Sequence, residues 1–201
     1  MLLTRLREVT GACHHALEHR LDLLREDFTR AEYAHVLRQM RGYYGPLEGH
    51  LAAAANWAGL GFDFERRRKT PLLDADLKLL GADAPPAPEC PDLPAVGRAL
   101  GRALGCMYVL EGATLGGQLV ARHARRTLGL TPANGGAFFT SYGNEISAMW
   151  RQFGAFVTAR VPAGEEEAAI ATACDVFRTL DAWVAATALA PAGTGGGGAT
   201  A

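Results

Sequence analysis

The chain has 201 residues, 49% of them hydrophobic and 20% charged, with a formal net charge of −1. This balance suits one globular domain with a sizeable core and excludes disorder across the whole length. No overall basic field is present to attract nucleic acid, although a few local Arg or Lys residues could hold a small anion.

The opening MLLTRLREVTGACHHALEHR carries charge at every turn and has no continuous apolar run, so it is not expected to be a signal peptide. No later stretch offers the roughly 20 apolar residues that span a bilayer, and no membrane association is expected. Cytoplasmic location is the default. Cys13, Cys90, Cys106 and Cys174 are scattered without a C-x-x-C pair, which favours free thiols in a reduced compartment.

Leu3, Leu6, Cys13, Leu17, Leu21 and Leu24 recur at helical spacing and mark a first helix with one buried stripe. Thr29-Arg30-Ala31-Glu32 has the form of a capping box. It predicts a second helix from about Ala31 towards Asn56, bent at Gly45-Pro46. Thr70-Pro71 predicts a short helix to about Leu80. Residues 82–94 hold five of the ten prolines and predict a loop. Helical pattern returns from about Ala95 to Leu128, followed by a turn-rich stretch from Thr131 to Gly143. Two more helices are expected, about Asn144–Arg160 and Glu165–Leu189. The reading is an all-α, single-domain helical bundle over residues 1–190, with a disordered Gly-rich tail over 191–201.

Two features stand out from this pattern. On the first helix Arg7, His14 and Glu18 share a face, at roughly 100° per residue. Glu18 could accept a hydrogen bond from His14 Nδ1 and leave Nε2 outward as a metal ligand. Arg7, two turns earlier, could pair with a carboxylate of whatever that metal belongs to. A surface His–Glu pair is the plainer alternative, and His15 and His19 nearby weaken any argument from histidine number.

The second feature is Tyr108-Val-Leu-Glu-Gly112-Ala-Thr-Leu-Gly116-Gly117-Gln118. Each interior glycine costs a helix roughly 1 kcal/mol relative to alanine, so something should offset three of them. Close helix–helix packing would do so, and so would a planar ligand pressed against bare backbone.

Together, and in this order roughly 100 residues apart, the two motifs resemble those of the haem oxygenases, most closely the bacterial enzymes that accompany phytochromes. The resemblance spans most of residues 3–185. L-R-E-V-T-G-A-C-H-H-A-L-E is similar to the proximal helix of that family. By this match His14 is the axial haem-iron ligand, Glu18 its supporting partner and Arg7 a residue near a haem propionate. The stretch Tyr108–Gln118 resembles the distal helix, with Tyr108 among the haem-contacting residues and Gly112, Gly116 and Gly117 letting backbone lie over bound oxygen. Trp150-Arg151 looks like the helix that supplies a second propionate-binding arginine, Arg151. Phe177 resembles an aromatic lining the haem pocket.

One departure is Ala113, where many members carry an aspartate that organises proton-delivering water. Thr114 and backbone near Gly112 are the expected substitutes. The implied reaction is oxidative cleavage of haem to biliverdin, carbon monoxide and ferrous iron. It draws on O2 and an external electron donor, a ferredoxin or flavoprotein reductase, and it could supply a bacteriophytochrome chromophore or recycle iron. Ala113 keeps open a haem carrier that never turns over. A di-iron site on the same architecture needs paired Glu-x-x-His motifs, and Glu48-Gly-His50 and Glu18-His19 have the wrong spacing.

Overall fold

The computed structural model describes residues 1–189. The tail expected over 191–201 and the final residue of the expected 1–190 domain lie outside the described residues.

Helix α1 spans Leu2–Leu21 and ends where Asp22 turns into the left-handed region. The capping box starts α2, Arg30–Ala54: the Glu32 N–H donates to Thr29 Oγ1 at 3.2 Å, and the Thr29 N–H donates to Glu32 Oε2 at 2.8 Å. This helix runs on through Pro46, whose missing N–H frees the carbonyl of Gly42. The proline-rich loop takes up that acceptor, because Cys90 N–H donates to Gly42 O at 2.9 Å. The loop is therefore docked on α2 by the bond that Pro46 left vacant.

A single 3-10 turn, Glu65–Arg67, leads into α3, Thr70–Leu79. Helix α4 spans Leu100–Leu128 and begins five residues later than the pattern predicts, since Gly97 at φ 58° belongs to the loop. A short helix, α5 (Ala137–Thr140), occupies the stretch expected to be turns alone. Its free N–H groups are satisfied from a distance: buried Asp76 of α3 accepts from Ala137 N at 2.8 Å and Phe138 N at 2.7 Å. Helices α6, Ile146–Arg160, and α7, Glu166–Ala186, complete the described chain, which contains no strand among those residues.

Helix α7 is the backing element. Both α1 and α4 pack along it, yet they scarcely pack on each other. Close approach of α4 to α7 depends on Gly101 and Gly105. A Cβ at Gly105 would fall under 3.0 Å from the backbone of Ala169, and one at Gly101 equally close to Glu165. On the other side, Arg5 and Arg20 of α1 reach Glu167 and Asp181 of α7, each at 2.5 Å. Two helices thus stand on a third with a groove between them.

Candidate active site

On the α1 wall, the His14 side chain is 48% exposed, and its ring stands edge-on to buried Phe177 of α7, with centroids 5.7 Å apart at 77°. Glu18 Oε1 lies 3.5 Å from His14 Nε2, and its other oxygen lies 3.4 Å from His15 Nδ1. This corrects the expected arrangement, in which Nδ1 meets the carboxylate. The torsion that turns an imidazole is broad and roughly two-fold, so spacing on a helix does not choose between the ring nitrogens. Arg7 is exposed and forms no ion pair among the described residues.

Tyr108 of α4 reaches across the base of the groove. Burial pushes its phenol up, and the Thr10 side chain and the Arg7 charge on α1 offset part of that shift. Trp150 of α6 lies against it, with ring centroids 5.9 Å apart. Arg151, the next residue, is exposed and free of ion pairs among the described residues.

The glycines of α4 divide by what surrounds them. A Cβ at Gly116 would meet nothing within 4 Å, and one at Gly112 would only touch the edge of Trp150 at 3.9 Å. Their bare backbone faces open space. Gly117, expected with them, faces elsewhere: its Cβ would meet Phe139 O at 3.1 Å, so its missing side chain admits α5. Thr114 also departs from expectation. Two residues rotate it roughly 200° from Gly112, and its buried hydroxyl donates to Glu111 O at 2.7 Å. It is engaged with its own helix rather than turned to the groove.

A buried ionic cluster flanks the same helix, and no motif announced it. Glu111, 1% exposed, accepts from Arg67 Nη1 at 2.5 Å through one oxygen and from Tyr142 Oη at 2.6 Å through the other. Lys69 Nζ donates to Tyr142 Oη at 2.5 Å and to Arg67 O at 2.6 Å. Burial lowers the Lys69 ammonium to about 8, although Glu111 and Glu48 pull it back up. Burial and the neighbouring Glu111 charge push the Tyr142 phenol well above its usual range. The nearest signal in the sequence is the single acidic residue in Tyr-Val-Leu-Glu-Gly, set where a core helix has no reason to carry one.

Other chemistry is poorly served. One Glu-x-x-His does occur, Glu32–His35, but Glu32 is committed to Thr29 and Arg25, and no second copy pairs with it. Two hollows of the surface, beside Trp57–Glu65 and beside Phe62 and Phe156, bring none of the predicted residues together.

The sequence model of the family described as heme oxygenase matches residues 1–186. The chain belongs to the haem oxygenase family. A protein of Xanthomonas campestris pv. campestris named heme oxygenase is 32% identical over 160 residues, covering 78% of this chain and 90% of that one. Among solved structures, a heme oxygenase of Neisseria meningitidis studied with NO and CO bound superposes with a TM-score of 0.77 at 20% identity. It covers 96% of this chain, which in turn covers 98% of it. Heme oxygenase from Leptospira interrogans gives 0.72 at 20% identity, over 90% of this chain and 97% of that one. This haem oxygenase is accordingly a single-domain, all-helical, haem-degrading oxidoreductase, and biliverdin and iron follow from its reaction. No described helix is long and apolar enough to cross a membrane.

Proposed function

We propose that haem lies in the groove between α1 and α4, held by His14, and is opened there to biliverdin, carbon monoxide and ferrous iron. The observation that carries this reading is the pairing of a half-exposed imidazole on one wall with the side-chain-free backbone of Gly112 and Gly116 on the other. A flat ring needs such a gap. Were the glycines only for helix packing, they would be filled by a neighbour, as Gly101 and Gly105 are.

Haem brings the redox iron and the ring to be cleaved, with O2 and electrons arriving from outside. The protein's residues bind and orient it. His14 would hold the iron through Nε2 once a turn of its ring let Nδ1 meet Glu18, and the edge-on Phe177 ring would steady the imidazole. Arg7, Tyr108 and Arg151 surround the groove with two cations and a phenol for the propionates, and so set the in-plane rotation that chooses the cleaved carbon. Gly112 and Gly116 would leave room for the ring and its bound gas against bare α4 backbone. With Ala113 offering no proton-bearing group and Thr114 bonded to Glu111 O, backbone near Gly112 and water are left to manage protons there. Electrons would come from a ferredoxin or flavoprotein reductase in the cytoplasm, and a bacteriophytochrome would be a consumer of the bilin.

The test is spectroscopic. Haem added to the full chain with a reductant in air should give a Soret band that decays into a biliverdin spectrum. His14→Ala should lose the native axial ligation and this decay. An unchanged haem spectrum and normal turnover in that variant refute the assignment.

A further inference from the structure

We propose that His14, His15 and Glu18 also form a site for a divalent transition-metal ion of the ferrous class on the exposed surface of α1, occupied in competition with haem. The side chains already frame an ion. Glu18 Oε1 is 3.5 Å from His14 Nε2, Glu18 Oε2 is 3.4 Å from His15 Nδ1, and one donor atom from each residue lies within 4.8 Å of the other two. Ligands at about 2.0–2.2 Å from a tetrahedral metal are about 3.4 Å apart. Each imidazole therefore already stands near that separation from one oxygen of Glu18, and side-chain rotation closes the set onto one ion.

The donor set is chemically specific. Two imidazoles with one carboxylate, leaving open positions for water, suit ferrous iron, and equally zinc or cobalt. All three residues are exposed, so an ion reaches them without opening the fold. No Lys or Arg neutralises Glu18 among the described residues, and its only partners are the two histidines.

The competition rests on the haem reading given above, because both ligands take His14 Nε2. One nitrogen lone pair cannot serve two metals. Haem cleavage releases an ion of the class this site accepts, so liberated iron held by His15 and Glu18 would delay the return of His14 to a new haem. The site is thus a product-sensitive brake on haem loading.

The experiment titrates Zn2+ into the full chain by calorimetry, with and without bound haem, in wild type, His15→Ala and His14→Ala. Expected are one ion bound with micromolar affinity to the haem-free wild type, at least tenfold weaker binding in His15→Ala, and at least tenfold weaker binding in the haem-loaded protein. His15→Ala should take up haem with an unchanged Soret band, whereas Zn2+ should slow haem uptake by wild type in proportion to its saturation. Zn2+ binding that is unaffected by His15→Ala, or equal with and without haem, overturns the proposal. Should His14→Ala bind haem like wild type, the haem reading fails by itself. The ion site is then judged by whether His14→Ala and His15→Ala lose Zn2+.

Discussion

On the groove side of α4, Gly112 and Gly116 expose bare backbone to open space, whereas Glu111, one residue away, sinks its carboxylate among Arg67, Lys69 and Tyr142. The first flank has given up side chains and with them local helix stability. The second spends a costly buried charge on fixing where the helix lies. A buried ion pair adds little net stability over a well-packed apolar substitute, but breaking it is severe. The contrast teaches that a wall left deliberately bare has to be located by contacts made behind it.

Removing that anchor should have the largest effect. Glu111→Ala leaves Arg67, 4% exposed in its side chain, without a counter-charge. A loss of about 3–5 kcal/mol is expected, read as a fall in the denaturation midpoint. A midpoint close to wild type would show that the cluster is not what locates α4.

Next comes the contact beneath the groove. Gly105→Ala forces α4 away from Ala169 backbone, with an expected cost of about 1–3 kcal/mol and weaker haem binding, measured by melting and by haem titration.

A pH series probes Lys69. Its folded-state value of about 8 lies below the ordinary lysine value of 10.5, so between these the unfolded chain binds more protons. The penalty for burying the ammonium is full below pH 8 and fades as pH rises. Wild type should therefore gain stability relative to Lys69→Met between pH 8 and 10. Buried Tyr33 and Cys106, raised in the folded state and not bonded to Lys69, act in the opposite direction but equally in both proteins. A constant difference across that range would place the ammonium in water.

The smallest change reverses sign between flanks. Gly116→Ala meets no neighbour, and alanine favours helix by up to about 1 kcal/mol. The haem-free protein should melt slightly higher while haem affinity falls. If affinity is unchanged, the open face of Gly116 is not where the ring lies.

Much of this frame was legible in the residues. Apolar spacing marked α1, the Thr29–Glu32 box marked the start of α2, Thr70-Pro71 marked α3, and two further helices were expected where α6 and α7 lie. What escaped depends on distant partners. The cap of α5 is Asp76, 61 positions earlier in the chain. The run Glu-Arg-Arg-Arg-Lys before α3 reads as a solvated charged face, yet Arg67 and Lys69 are buried because Glu111 waits across the fold. The five glycines of α4 look alike in sequence. Only their neighbours sort them into packing positions at 101, 105 and 117 and open ones at 112 and 116. His14 and Glu18 were correctly placed side by side, but the nitrogen facing the carboxylate was not readable from spacing.

Because α1 and α4 both rest on α7, the width of the groove is set remotely, like the opening of a caliper. The point where α4 bears on Ala169 is Gly105, seven residues and about 10 Å along the axis from Gly112. Any substitution that thickens that bearing point tilts the far end of the rod, so residues that never meet a ligand can tune the span between the jaws.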